Sequence, residues 1–297
     1  MTVKKNMFLF AAVCLCVCGV SVVRAQAQTY TGPPKVITIS REEVKPGKGG
    51  AHTKMETAWA RAFAESKVAT NWIGMTSVSG NDEVWFVSGY ESLAAVEKNR
   101  QGVDNTPAWQ ALNEKFAAQE SDFLSGLRSV IGMYREELSY QGIKTNVGEM
   151  RYLYVTTVRI RPGHENDFIE ATKISKAAHE KANVPERWSV YEVTLGMPHG
   201  TYLIIEPLKT LADVDAFPQT HGQAYRDAVG DDGRKRLAEL ANSGTNGTET
   251  NIFAFSPEMS IPAPEIAAAD PNFWHPKPMK KAAPAAKKGE EKPATKP

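Results

Sequence analysis

Cysteine is nearly absent from this chain. There are three in 297 residues, and Cys14, Cys16 and Cys18 all lie inside one apolar run near the N-terminus. Lys4 and Lys5 precede that run, which extends from Met7 to Val23, and Ala25-Gln26-Ala27 supplies the small residues a signal peptidase accepts. Residues 1–27 therefore read as a signal peptide, and the protein is expected to be exported, periplasmic or secreted. An uncleaved anchor is the competing reading, but the run falls slightly short of the ~20 residues a span needs. Lipid attachment wants a small residue before the cysteine, whereas these three follow Val13, Leu15 and Val17. Cleavage would leave no cysteine at all. That excludes disulfides, a thiol nucleophile, iron–sulfur ligation and a Cys-based zinc site.

Other signatures are missing too. The chain has no Gly-rich phosphate loop, no Gly-x-Ser-x-Gly elbow and no His-Glu-x-x-His. Charge of one sign is also scarce, with a net of +1. Residues 1–27 hold Lys4, Lys5 and Arg24 and no acid, so their removal leaves −2. The stretch from Ile261 to Pro297 holds seven lysines against Glu265, Asp270, Glu290 and Glu291, which puts the body near −5. Specific nucleic-acid binding wants a clustered basic face, so no nucleic-acid partner is expected. Eight of the 18 prolines fall in residues 261–297. Such a segment buries too little apolar surface to offset its ordering entropy, and it reads as a disordered tail. Its lysines serve either as a tether to an anionic surface or as a solvated coat. Phe273-Trp274 is expected to dock on the body, since two large rings seldom both stay in water.

What the sequence does contain is a register. Pro46-Gly47 and Pro162-Gly163 are 116 residues apart, as are Trp72 and Trp188, and Trp109 and Tyr225. Three landmarks at one interval predict a duplicated unit. In the first, Val36–Ser40 reads as a strand ending at Pro46-Gly47, and Met55, Trp59, Ala62, Phe63 and Ser66 form a helical stripe. Two strands follow, 72–79 and 84–89, across the turn Gly80-Asn81-Asp82, then a short helix from Leu93. A helix from Pro107 bears Trp109, Leu112, Phe116, Phe123 and Leu127, and a last strand covers 130–134. The second unit repeats the order, with strands at 152–160, 188–195, 202–205 and 252–255. Its helices fall at 168–182, 211–217, 223–229 and 234–241, the last two parted by Gly230-Asp231-Asp232-Gly233.

Each unit has the order β-α-β-β-α-β, the ferredoxin-like arrangement of an α+β fold. Strand positions are apolar on both parities, as in Val84/Phe86 against Trp85/Val87, so both sheet faces are expected to be buried. Two tandem repeats, residues 35–140 and 150–257, are thus expected to pack sheet to sheet as a pseudo-dimer.

On that element order, the strand–Pro-Gly–helix opening and Thr220-His221, residues 35–260 resemble the dimeric α/β-barrel superfamily. It includes antibiotic-biosynthesis-type monooxygenases, NIPSNAP-like proteins and, as fused tandem forms, chlorite dismutases. The resemblance implies a pseudo-dimeric α/β barrel and leaves a homo-oligomer open as a partner. It marks His221 as the helix histidine that some members use for heme or oxygen chemistry. Heme-degrading members also use an Asn on the first strand, where this chain has Thr38, Ser40, Tyr154 and Thr156. No cofactor is therefore expected, and a capping or exposed residue is the favoured reading of His221.

Glu192 and Glu206 stand out within apolar strands. In a barrel lumen a carboxylate would have a raised pKa suited to acid–base work. At a strand end it would face water, or pair with Arg159 or Arg187. With His164, His179, His199 and His221 the two could also form a metal site, although no helical ligand spacing supports one and none is expected. Trp72, Trp188 and Tyr154 are candidate ligand-binding aromatics, and any site is expected in the second half. The expected function is binding of a small apolar molecule between the two sheets. The alternative is a monooxygenase-like oxidoreductase, cofactor-free or heme-assisted.

Overall fold

The computed structural model describes residues 32–66, 68–220 and 222–275. The expected signal peptide, His221 and the tail beyond residue 275 lie outside them.

The chain is α+β. Strand β1 (Val36–Val44) leads through Pro46-Gly47 into α1 (Gly49–Ser66). Then come β2 (Trp72–Ser77), β3 (Glu83–Tyr90), α2 (Leu93–Asp104), α3 (Pro107–Glu120) and β4 (Leu124–Tyr134). The second half runs β5 (Tyr152–Ile160), α4 (Glu165–Ala182), β6 (Ser189–Leu195), β7 (Thr201–Leu208), α5 (Ala212–Thr220), α6 (Gln223–Gly244) and β8 (Thr245–Ile261). Short helices α7 (Pro264–Ala269) and α8 (Pro271–Trp274) end the described chain. Both strand-to-helix turns place their glycine at positive φ, +77° at Gly47 and +86° at Gly163. A side chain would strain that conformation, so Pro-Gly stops the strand and reverses the chain in both halves.

The eight strands close into one antiparallel barrel in the order β1-β3-β2-β8-β5-β7-β6-β4. Within each half the first strand lies between the third and the last. The halves join by hydrogen bonds at two seams, β2 with β8 and β4 with β6. The expected contact between two sheets thus takes the form of a closed barrel with no free edge.

Both faces of the barrel wall are buried apart from exposed stretches such as residues 127–129 of β4 and 246–250 of β8. All eight strands contribute to one inner cluster, including Ile37, Ile39, Met75, Trp85, Val130, Val155, Tyr191, Leu203 and Phe253. Outside, Met55, Trp59, Phe63 and Phe116 pack α1 against α3, while Phe168, Val190 and Tyr202 pack α4 on the second half.

Several boundaries differ from the sequence reading. Helix α3 stops at Glu120, so Leu127 belongs to β4, where it is 62% exposed. Strand β8 begins at Thr245, seven residues before its apolar part, because the polar stretch pairs with β5. Gly230 breaks α6 with φ 70° and ψ 175°. The expected disordered tail is ordered at its start: residues 261–275 fold over one barrel mouth. Trp274 is buried, its Nε1 donates to the Gly148 carbonyl at 2.8 Å, and its ring lies 5.8 Å from Phe255.

Candidate functional site

The barrel lumen is filled at one end and hollow at the other. Toward the end of β1 and the start of β3, Arg41 Nη2 donates to both Glu83 carboxylate oxygens at 2.9 and 3.0 Å. Trp85 Nε1 donates to the same carboxylate at 2.7 Å, and the Trp85 ring lies 4.3 Å from Phe253. A buried carboxylate is tolerable here because three hydrogen bonds from two donor groups satisfy it.

At the opposite mouth lies a cavity of about 370 Å³. Both halves build its wall: Ile37, Trp72, Ile73, Met75 and Val87 from the first, and Leu153, Trp188, Tyr191, Ile205 and Phe255 from the second. Pro264, Glu265 and Ile266 of α7 close one side. The polar side chains are Asn71, Ser88, Tyr90, Glu91, Thr145, Arg187 and Ser189, and the Tyr191 hydroxyl donates to the Pro34 carbonyl at 3.1 Å. Glu265 Oε2 is buried with no hydrogen-bond partner. A mostly apolar concavity with a few convergent polar groups is the usual form of a small-molecule site.

The sequence candidates divide. Trp72 and Trp188 both line the cavity, and their indole N–H groups are spent on the Met259 and Leu138 carbonyls at 2.7 and 2.9 Å. Their rings pack on the outer side of the wall, Trp72 on Phe63 at 5.1 Å and Trp188 on Tyr140 at 5.0 Å. Tyr154 has the opposite parity from the inward-facing Leu153 and Val155, and is not part of the wall. Glu192 faces outward beside Tyr202 and pairs with Arg135, not with Arg159 or Arg187. Glu206 also faces outward, into a separate pocket of about 280 Å³ with Glu186, Arg187, Lys209 and Asp213. Burial first, then the charge of Glu186, pushes its carboxyl up to about 7. Neither glutamate reaches the lumen. The strands that carry them are apolar on both faces, so the pattern holds no parity signal.

The second-half histidines do not converge either. His164 pairs with Asp167 at 2.8 Å, and His199 lies 3.5 Å from Glu165. His179 is buried among Tyr140, Trp188 and Tyr225. Among the described residues no histidine lines the cavity. Residues of both halves share the wall of this cavity.

A second polar constellation escaped the sequence reading. Glu42 of β1 and His52 and Glu56 of α1 are all buried between barrel and helix. His52 Nε2 lies 2.8 Å from Glu42 Oε2 and 3.9 Å from Glu56 Oε1. Burial, followed by the Glu42 charge, raises the Glu56 carboxyl to about 8. Burial also raises Glu42 and the adjacent Glu120, and lowers His52. The available signal was His52 and Glu56 at i, i+4, on the face that carries Met55, Trp59 and Phe63.

No family model matches the chain, and no curated protein matches it. Solved structures do match. A candidate monooxygenase from Fusobacterium nucleatum covers 75% of this chain and 93% of its own, with TM-score 0.49 and 11% identity. An anthrone oxidase-like protein covers 74% and 91%, with TM-score 0.49 and 14% identity. A chlorite dismutase variant from Candidatus Nitrospira defluvii covers 77% and 94%, with TM-score 0.45 and 10% identity. At such identities and TM-scores these likenesses assign no activity to this chain.

Proposed function

We propose that this chain is an exported protein that binds a small, largely apolar molecule in the barrel-mouth cavity. The two halves are read as tandem ferredoxin-like repeats, residues 35–140 and 150–257, whose fusion supplies two unlike walls to one site. The observation that carries the reading is the cavity of about 370 Å³, walled by aromatic and aliphatic side chains from both halves. Burying a ligand's apolar surface there yields about 25 cal/mol per Å² removed from water. Ser88, Ser189 and Thr145 would orient a polar substituent.

The test uses 1-anilinonaphthalene-8-sulfonate as probe. It is expected to bind the purified chain with enhanced fluorescence and to quench Trp72 and Trp188. Ile205→Trp fills the cavity and is expected to weaken probe binding at least tenfold with an unchanged far-ultraviolet spectrum. Equal probe affinity in a folded Ile205→Trp variant would place binding elsewhere and end this reading.

The alternative, a cofactor-free monooxygenase-like oxidoreductase, is supported by one feature. The partnerless Glu265 oxygen on the wall could accept a proton from a bound phenol or anthrone-like substrate. Oxygen uptake with such a substrate, lost in Glu265→Gln, would favour it over simple binding.

A further inference from the structure

The Glu42–His52–Glu56 cluster lies outside the lumen, and ligand binding at the barrel mouth makes no use of it. It is closed to solvent, with His52 0%, Glu42 4% and Glu56 8% exposed. It is also incompletely satisfied. His52 Nδ1 and Glu56 Oε1 have no hydrogen-bond partner, and no lysine or arginine among the described residues pairs with Glu42 or Glu56. Glu120, the last residue of α3, adds a third carboxyl close enough for its charge to act on Glu42. Three acids and one imidazole under a helix are costly unless a cation or shared protons neutralise them.

The fold itself does not require this polarity. Strands β1 and β5 are both nine residues long, and helices α1 and α4 both eighteen, each pair offset by 116. At that offset Glu42, His52 and Glu56 correspond to Val158, Phe168 and Thr172. There Phe168 stacks on Tyr202 at 4.3 Å, and the Thr172 hydroxyl donates to the Phe168 carbonyl. The same place in the barrel is therefore filled without a carboxylate or an imidazole.

We propose that Glu42, His52 and Glu56 bind a divalent transition-metal ion of the zinc class that clips α1 to β1. One nitrogen and several carboxylate oxygens suit zinc or manganese, while magnesium and calcium prefer oxygen alone. A tetrahedral zinc with ligands at about 2.0–2.2 Å holds its donor atoms about 3.3–3.5 Å apart. The distances from His52 Nε2 to Glu42 and Glu56, 2.8 and 3.9 Å, bracket that value, and all three donor atoms lie within 4.8 Å of one another. His52 and Glu56 both come from one helix face and Glu42 from the strand beneath, so the ion would act on packing and not on the cavity.

The purified chain, stripped with chelator, is titrated with zinc chloride by calorimetry and followed by thermal melting. One ion per chain is expected at micromolar concentration or below, with a melting temperature several degrees higher. Glu56→Gln should weaken binding at least tenfold, and His199→Gln should not change it. X-ray absorption of the wild-type zinc complex should count one imidazole with oxygen neighbours, which decides the matter even if a variant fails to fold. Sulfur neighbours, two or more imidazoles, or no uptake at micromolar zinc would overturn the proposal. Probe binding at the barrel mouth is measured separately, so either site can fail without the other.

Discussion

Phe168 holds in α4 the place that His52 holds in α1: each is the fourth residue of an 18-residue helix entered through a Pro-Gly turn. Phe168 lies on Tyr202 at 4.3 Å, while His52 faces the Glu42 carboxylate at 2.8 Å. One position in the fold is thus apolar in one half and ionisable in the other.

In chelator, the triple variant Glu42→Val, His52→Phe, Glu56→Thr should therefore fold and gain stability. Replacing buried ionic groups by packed side chains often stabilises by about 1–4 kcal/mol. Urea unfolding at pH 7 measures it. A midpoint below that of the metal-free wild type would show that the polar cluster supports the fold by itself.

Glu206 predicts a pH dependence. Its carboxyl is raised to about 7 in the folded chain, by burial and then by Glu186, above its ordinary value of 4.5. Between these values the native state keeps a proton that the unfolded chain has released, so stability falls as pH rises from about 4.5 to about 7 and then levels. Arg187, Lys209 and Asp213 face the same pocket. Glu206→Gln should flatten the fall in a urea-midpoint profile across this range. An unchanged slope would mean that Glu206 ionises at its ordinary pKa.

Trp274 anchors the segment that covers the cavity mouth. It is 2% exposed, and its indole bonds the Gly148 carbonyl. Trp274→Ala should cost about 3–5 kcal/mol, the range for a buried tryptophan. Calorimetric melting tests it, and a change below about 1 kcal/mol would show that residues 261–275 contribute little to stability.

Residues 35–140 expressed alone would expose the β2 and β4 edges and the lumen-facing side chains of four strands. Unpaired edges template association. Sedimentation should find dimers or larger species. A soluble, cooperatively melting monomer would refute the need for the second half.

Much of the fold was legible because its signals are local. Pro46-Gly47 and Pro162-Gly163 mark strand ends by their own backbone chemistry, and β-branched runs such as Val36–Ser40 read as strands wherever they sit. The polar half of β8 was not legible, because Thr245–Asn251 is a strand only through its pairing with β5. Leu127 read as helical because its spacing continues the α3 stripe, yet pairing with Glu42 of β1 holds it in β4.

The site was less legible than the fold. Trp72 and Trp188 were found through their register and do line the cavity. Glu192, Glu206 and Tyr154 were singled out by residue type, and parity turned them outward. His52 and Glu56 carried an i, i+4 signal that became meaningful only when β1 placed Glu42 beside them. The sequence by itself determined the order of strands and helices and the apolar character of most strands on both parities, since each follows from neighbours in the chain. Only the tertiary structure decided that the barrel closes, that α7 walls one mouth, and that Glu42, His52 and Glu56 meet, because convergence of distant residues depends on register and packing that no local pattern encodes.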